Sequence, residues 1–168
     1  MRIYTNLLPY KVIRISETSY MKRLFHKRYS RKMLSGVEMI KMGILDRLAV
    51  RYKNIYGQET ADSLAAAIVN EIFCQKPTDP HAKDFFSTNK QVIEREMSNL
   101  KYDDEMCKII TLAIRMKISL SEEQSGDMTK LPEGYINKLT KLGIFIPNEY
   151  TPTPNLFLQK ANEFYQEK

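Results

Sequence analysis

The sequence has no tryptophan, only two cysteines and two histidines, and no apolar run long enough to cross a membrane. A transmembrane helix needs about 20 consecutive apolar residues, so we expect none. Residues 1–30 also lack the apolar core of a secretory signal peptide. Cys74 and Cys107 are far apart and both fall within apolar helical patterns. That placement predicts buried, reduced thiols in a cytoplasmic protein.

Motifs that identify an enzyme or a metal site are also missing. No Walker A, G-x-G-x-x-G or G-x-S-x-G pattern occurs. Asp79, His81 and Asp84 lie close together in the chain, but a capping aspartate followed by an exposed first helical turn accounts for all three. We therefore predict no catalytic residue, no metal and no cofactor, and the sequence favours a protein that is not an enzyme without deciding the question. An enzyme whose site is assembled from dispersed residues is a third alternative.

What the sequence does contain is typical of a globular protein. Of its 168 residues 43% are hydrophobic and 27% charged, with ten tyrosines, seven phenylalanines and nine methionines. This composition is too rich in apolar and aromatic residues for a disordered chain, and the length fits one domain with a sizeable core.

Apolar residues recur at helical spacing from residue 18 onward. The pattern predicts helices over 18–34, 36–56, 61–75, about 80–100 with an interruption near 87–89, 104–118, 132–142 and 155–166. Local signals support several boundaries: Thr60, Asp79 and Asp103 are suitable N-caps, and Gly57 and Gly143 are suitable left-handed residues after a helix.

We therefore predict an all-α fold, a single-domain bundle of six to seven helices with an extended N-terminal arm over residues 1–16. The helix 104–118 is apolar almost all round, so we place it at the centre of the core. We divide the chain into a basic N-terminal arm and amphipathic helix at 1–35 and a helical body at 36–168.

Positive charge is concentrated in the first third of the chain. Residues 1–57 have thirteen Lys or Arg and three acids, whereas residues 58–168 have thirteen Lys or Arg and seventeen acids. The overall net charge of +6 therefore hides a basic segment attached to a mildly acidic body. Such an asymmetry indicates association with an acidic partner and carries little information about the fold.

The most basic stretch is a predicted amphipathic helix over residues 18–34 without any acid. Its cations and aromatics are the binding residues that we predict: Lys22, Arg23, Phe25, Lys27, Arg28, Tyr29, Arg31 and Lys32. An acidic protein surface or the phosphates of a nucleic acid would fit them. A membrane surface is a less favoured partner. In a plainer interpretation the helix packs on the body and its cations are only solvated, although soluble surfaces usually mix both signs of charge.

A second pattern lies near the C-terminus, in "YINKLTKLGIFIPNEYTPTPNLFLQ". A helix, a glycine, two extended apolar stretches and a proline-rich turn resemble the recognition helix and wing of winged-helix DNA-binding domains. That resemblance implies that Lys138 and Lys141 face DNA. An ordinary helix ended by a glycine cap explains the same residues.

Together these observations favour a non-enzymatic helical interaction module whose basic N-terminal segment binds an acidic protein partner. A nucleic-acid-binding regulator that uses the same basic patch is the alternative. If residues 18–34 project away from the body, they are expected to form a binding surface. If their apolar face packs against the body, their cations are expected to be only solvated.

Overall fold

The structure is a computed structural model that describes the backbone of residues 15–123, 132–144 and 153–166, and the side chains of residues 31–120, 132–144 and 153–166. Within these ranges the chain forms seven α-helices and no strand, which confirms the all-α prediction. The helices are α1 (Ile15–Tyr56), α2 (Gln58–Ile72), α3 (Pro80–Thr88), α4 (Lys90–Asn99), α5 (Asp104–Glu123), α6 (Tyr135–Lys141) and α7 (Pro154–Gln166), with a short 3-10 helix at Leu100–Tyr102. Residues 1–14 of the predicted extended arm lie outside the described ranges.

Helix α1 is one continuous helix of 42 residues, and the predicted break between 34 and 36 is wrong. Gly36, a poor helix former, lies at the predicted start of the second helix. In the structure Gly36 is buried within the helix, because a side chain there would collide with Phe157 of α7. The boundary that we placed between an arm (1–35) and a body (36–168) therefore falls inside a helix. Whether the two parts act separately stays a prediction.

The core is organised around the second half of α1, which packs against α2, α5 and α7. Its inward positions are fully buried at Met33, Val37, Ile40, Ile44, Leu48 and Tyr52. Helix α5 contributes a large buried set of its own, including Ile110 and Ile114. It nevertheless borders this central helix, whereas we had predicted α5 itself at the centre.

Helix α7 lies alongside α1 in a channel formed by two glycines. A Cβ atom on Gly36 would come within 2.7 Å of the Phe157 ring, and one on Gly43 within 2.7 Å of the Phe164 ring. Both pairs are seven residues apart in their own helices, so α1 and α7 run in the same direction with heptad-like packing. The guanidinium carbon of Arg47 lies 3.9 Å from the centre of the Phe164 ring and covers the end of this contact.

Several predicted helix boundaries are confirmed. The Asp79 carboxylate accepts a hydrogen bond from the Ala82 amide at 3.2 Å, and that of Asp103 from the Met106 amide at 3.1 Å. Gly143 has φ 78°, and the Ile144 amide donates to the Leu139 carbonyl oxygen at 3.0 Å. This last bond closes the predicted cap of α6.

Other boundaries differ from the prediction. Helix α2 begins at Gln58, so Thr60 lies in its first turn and is not an N-cap. Gly57 has the positive φ (90°) expected of a residue that ends α1, but its ψ of 158° is not that of a left-handed helical residue. The predicted interruption near 87–89 is present, since α3 ends at Thr88 and α4 begins at Lys90.

Candidate functional site

The predicted binding residues all lie on α1, on the half that precedes its core-packed part. The backbone of this half is helical from Ile15. Met33 is the first side chain of α1 in the described core. At 1.5 Å per residue, the whole helix measures about 63 Å, and the part before Met33 accounts for about 27 Å of that length. The basic segment is thus the direct helical extension of a core element.

Arg31 and Lys32 are the predicted binding residues whose side chains the structure describes. Both are exposed, and neither forms an ion pair with any residue of the described ranges. The nearest acid further along the helix is Glu38, whose carboxylate pairs with Lys41 at 2.9 Å. The other six predicted residues belong to the helix, but their side chains lie outside the described set: Lys22, Arg23, Phe25, Lys27, Arg28 and Tyr29.

Most cations of the second half of α1 are paired with acids, although Lys53 is exposed and forms no ion pair within the described ranges. Arg47 pairs with Glu105 at 3.2 Å, and Arg51 pairs with Asp103, which also caps α5. Asp103 and Glu105 lie at the start of α5, where helix geometry favours negative charge. The two acids at the start of α5 therefore neutralise Arg47 and Arg51. The exposed cations Arg31 and Lys32 have no such partner in the described part of the chain.

Two further lysines are buried around the C-terminal end of α2. Lys41 lies 5.5 Å from the centre of the Phe73 ring, and the Lys117 ammonium donates to the Phe73 carbonyl oxygen at 3.4 Å. Burial, and after it the charge of Lys41, lowers the pKa of Lys117. A cation near the free carbonyls at a helix end is stabilising, so this cluster is explained as a cap of α2.

A polar cluster around the buried Glu96 joins the end of α1 to α4. The Tyr56 hydroxyl donates to the Glu96 carboxylate at 2.5 Å and accepts from Arg95 at 3.0 Å. Glu96 is buried and also accepts from the Asn99 amide at 3.4 Å. The hydroxyl of Tyr52, one turn earlier in α1, is buried without a hydrogen-bond partner among the described residues. Burial, and after it the charge of Glu96, raises the pKa of Tyr52.

The side of α1 that faces away from α2, α5 and α7 carries apolar residues that the sequence pattern did not single out. Met42 is 47% exposed and Val50 is 70% exposed, with Met39 and Ala49 half-buried beside them. Ile55, which lies three residues after the buried Tyr52, is 62% exposed. The sequence signal that could have revealed this surface is the helical spacing of Met39, Met42 and Val50. These residues form a second apolar stripe beside the core positions.

The winged-helix alternative gains little from the geometry. Helix α6, the counterpart of the recognition helix, has only seven residues. Lys138 pairs with Glu71 at 2.8 Å, and Lys141 is exposed. Residues 145–152 of the segment that would form the wing are outside the described ranges. Its second extended stretch, residues 155–159, is helical within α7, so that part of the prediction is wrong.

The cysteine and histidine predictions have mixed outcomes. Cys107 is buried as predicted, its thiol lies 3.0 Å from the Leu100 carbonyl oxygen, and burial raises its pKa. The prediction for Cys74 is wrong: it is exposed, follows the end of α2 and has φ 56°. His81 is exposed. In the described ranges no three His, Cys, Asp or Glu side chains come together as metal ligands.

None of the helices in the described ranges combines the length and the apolar character of a membrane-spanning segment. Comparison of the chain with protein-family models, with curated proteins and with solved structures found no significant match.

Proposed function

We propose that this protein is a non-enzymatic helical interaction module whose basic segment, the first half of α1, binds an acidic surface of a protein partner. The main observation that supports this proposal is the contrast within one helix. Arg47 and Arg51 are paired with acids at the start of α5, whereas Arg31 and Lys32 are exposed without an ion pair in the described part of the protein. Unpaired cations concentrated at one place raise the local attraction for an acidic partner.

The continuity of α1 supports the proposal further. Because Met33 and Val37 are fully buried, the helix is held by the core directly after the basic segment. A helix that is already formed loses less conformational entropy on binding than a segment that must first fold. The cations at 22, 23, 27 and 28 precede Arg31 and Lys32 on the same helix and extend the same charge.

The experiment measures binding of a fluorescein-labelled, 20-residue peptide made only of Glu and Asp, by fluorescence anisotropy at 50 and 200 mM salt. Arg31→Glu/Lys32→Glu is expected to lower the affinity about tenfold, since each exposed ion pair contributes up to about 1 kcal/mol and reversal adds repulsion. Higher salt is expected to weaken the wild-type complex, because exposed charges are screened within about 10 Å.

Lys83→Glu/Lys160→Glu is the matched control, because both lysines are exposed on other helices and the net charge changes by the same amount. This control is expected to bind within about twofold of wild type. Equal losses in the two double variants would mean that only net charge matters, and the proposal would be rejected. Tight binding to a 20-base-pair DNA duplex in place of the acidic peptide would select the nucleic-acid alternative.

A further inference from the structure

The outer side of α1 carries both the exposed cations Arg31 and Lys32 and the exposed apolar residues. Steps of three and four residues place positions 31, 35, 39, 42, 46 and 50 along one side of the helix. This outer side is basic at Arg31 and Lys32 and apolar at Met39, Met42 and Val50. The side chains along it are exposed or half-buried.

The other sides of α1 are occupied by neighbouring helices. Gly36 and Gly43 face α7, Arg47 and Arg51 reach the start of α5, and Lys41 lies over Phe73 at the end of α2. Among the residues that the structure describes, these contacts leave the outer side of α1 accessible. Its length from 31 to 50 is about 29 Å, which matches a partner helix of about 20 residues.

We propose that the occupant of this outer side is an acidic amphipathic helix of the partner protein. Its acidic half would pair with Arg31 and Lys32, and its apolar half would cover Met42 and Val50. This inference rests on the proposed function and adds the shape of the partner and a second, apolar set of contacts. Helices commonly bind through apolar residues at spacings of three and four, and methionine side chains adapt to such surfaces.

The charges and the apolar contacts argue for this occupant over two others. A second copy of the chain would bring more cations to a side whose acids are already engaged: Glu38 pairs with Lys41, and Asp46 has an interaction of its own. A nucleic-acid backbone would satisfy Arg31 and Lys32 but would offer Met42 and Val50 no apolar contact. An acidic amphipathic helix would provide acids for the two cations and apolar contacts for Met42 and Val50.

The test compares three labelled probes by fluorescence anisotropy. The first is a 22-residue peptide with Leu at three- and four-residue spacing in one half and Glu in the other, prepared in both chain directions. The second is a scrambled peptide of the same composition, and the third is the all-acidic peptide used above. We expect at least one direction of the amphipathic peptide to bind about tenfold more tightly than the scrambled one, because only a continuous stripe buries apolar surface.

Met42→Gln/Val50→Gln removes the apolar contacts without changing the charge and keeps a good helix former at exposed positions. It is expected to remove the advantage of the amphipathic peptide and to leave binding of the all-acidic peptide unchanged. Ile55→Gln/Tyr102→Gln is the matched control, because both residues are exposed and apolar but lie away from the outer side. This control is expected to bind all peptides as wild type does.

Failure of this inference is distinguishable from failure of the proposed function. If Arg31→Glu/Lys32→Glu weakens binding of both acidic peptides while Met42→Gln/Val50→Gln weakens neither, the proposed function stands and the amphipathic partner is overturned. If no peptide binds, or if only duplex DNA binds, both proposals are overturned. Far-ultraviolet circular dichroism of each variant verifies that the helices are retained.

Discussion

The ring of Phe164 lies against the backbone of α1 at Gly43, so closely that a Cβ atom on residue 43 would come 2.7 and 2.8 Å from two ring carbons. Phe164 is buried and its ring is also covered by Arg47 at 3.9 Å. The ring therefore has little freedom to move aside. A glycine in the middle of a helix normally costs about 1 kcal/mol relative to alanine, and here the close approach of α7 offsets that cost.

Gly43→Ala is consequently expected to destabilise the protein by about 1–2 kcal/mol, because overpacking of a rigid core exceeds the gain in helix propensity. Urea unfolding followed by circular dichroism measures the change. Ser35→Ala, at an exposed position of the same helix, is the control and is expected to be neutral or slightly stabilising. An increase in the stability of Gly43→Ala would show that α7 does not pack on α1 as described.

Tyr56 and Tyr52 are expected to respond differently to removal of their hydroxyl groups. Tyr56→Phe leaves the buried Glu96 without its closest donor, which should cost about 1–3 kcal/mol. Tyr52→Phe removes a buried hydroxyl that has no partner among the described residues, so it should be neutral or stabilising by up to about 1 kcal/mol.

Tyr102→Phe is the control for both tyrosine variants, since this residue is 78% exposed. Equilibrium unfolding in urea compares the three proteins. Equal effects of Tyr52→Phe and Tyr56→Phe would contradict the hydrogen-bond arrangement around Glu96.

Lys117 gives a pH-dependent prediction. Its pKa is lowered in the folded protein, first by burial and then by Lys41, so between that value and about 10.4 the unfolded chain binds more protons than the folded one. Stability therefore rises with pH across this window, and the penalty of the buried charge is fully present below it.

Lys117→Met removes this titration, and exchange of a buried charge for an apolar side chain is often neutral or stabilising. We expect the free energy of unfolding of the variant, relative to wild type, to be most favourable near pH 7 and to decline as the pH rises to 10. Chemical unfolding at a series of pH values provides the comparison, and Lys83→Met at an exposed position is the control. A difference independent of pH would refute the role of burial at Lys117.

The two cysteines should differ in reactivity. Cys74 is exposed and Cys107 is buried, and a buried thiol with a raised pKa is a poor nucleophile. A disulfide reagent such as dithionitrobenzoate is expected to modify one thiol of the native protein rapidly and the second only after unfolding. Cys74→Ser should remove the fast phase and Cys107→Ser should retain it. Two fast thiols in the native protein would contradict the burial of Cys107.

Local signals predicted the parts of the fold that depend on neighbouring residues. Asp79 and Asp103 cap helices as expected, because an N-cap involves only the next three residues. The continuity of α1 through Gly36 had no local signal, since the packing of this residue is decided by Phe157, which is 121 residues away. Cys74 was misplaced because α2 ends at Ile72, before the last residues of the apolar pattern.

The sequence predicted the positive charge of the candidate site but not which of its cations form ion pairs. The excess of cations before Gly57 is visible in the sequence. The acids that neutralise Arg47 and Arg51 lie 58 and 52 residues further along the chain, and no local pattern connects them. The pairing of Arg47 and Arg51 with acids therefore required the structure.

The unbroken course of α1 has a mechanical consequence. The proposed binding segment and the segment that Met33, Val37 and Ile40 anchor in the bundle belong to one uninterrupted helix. They therefore cannot rotate independently. A partner bound to the first turns of α1 would therefore also fix the orientation of the rest of the bundle. Insertion of four glycines after Lys32 would add a flexible hinge there. Binding of the partner would then no longer fix the orientation of the bundle, although every charge would be retained.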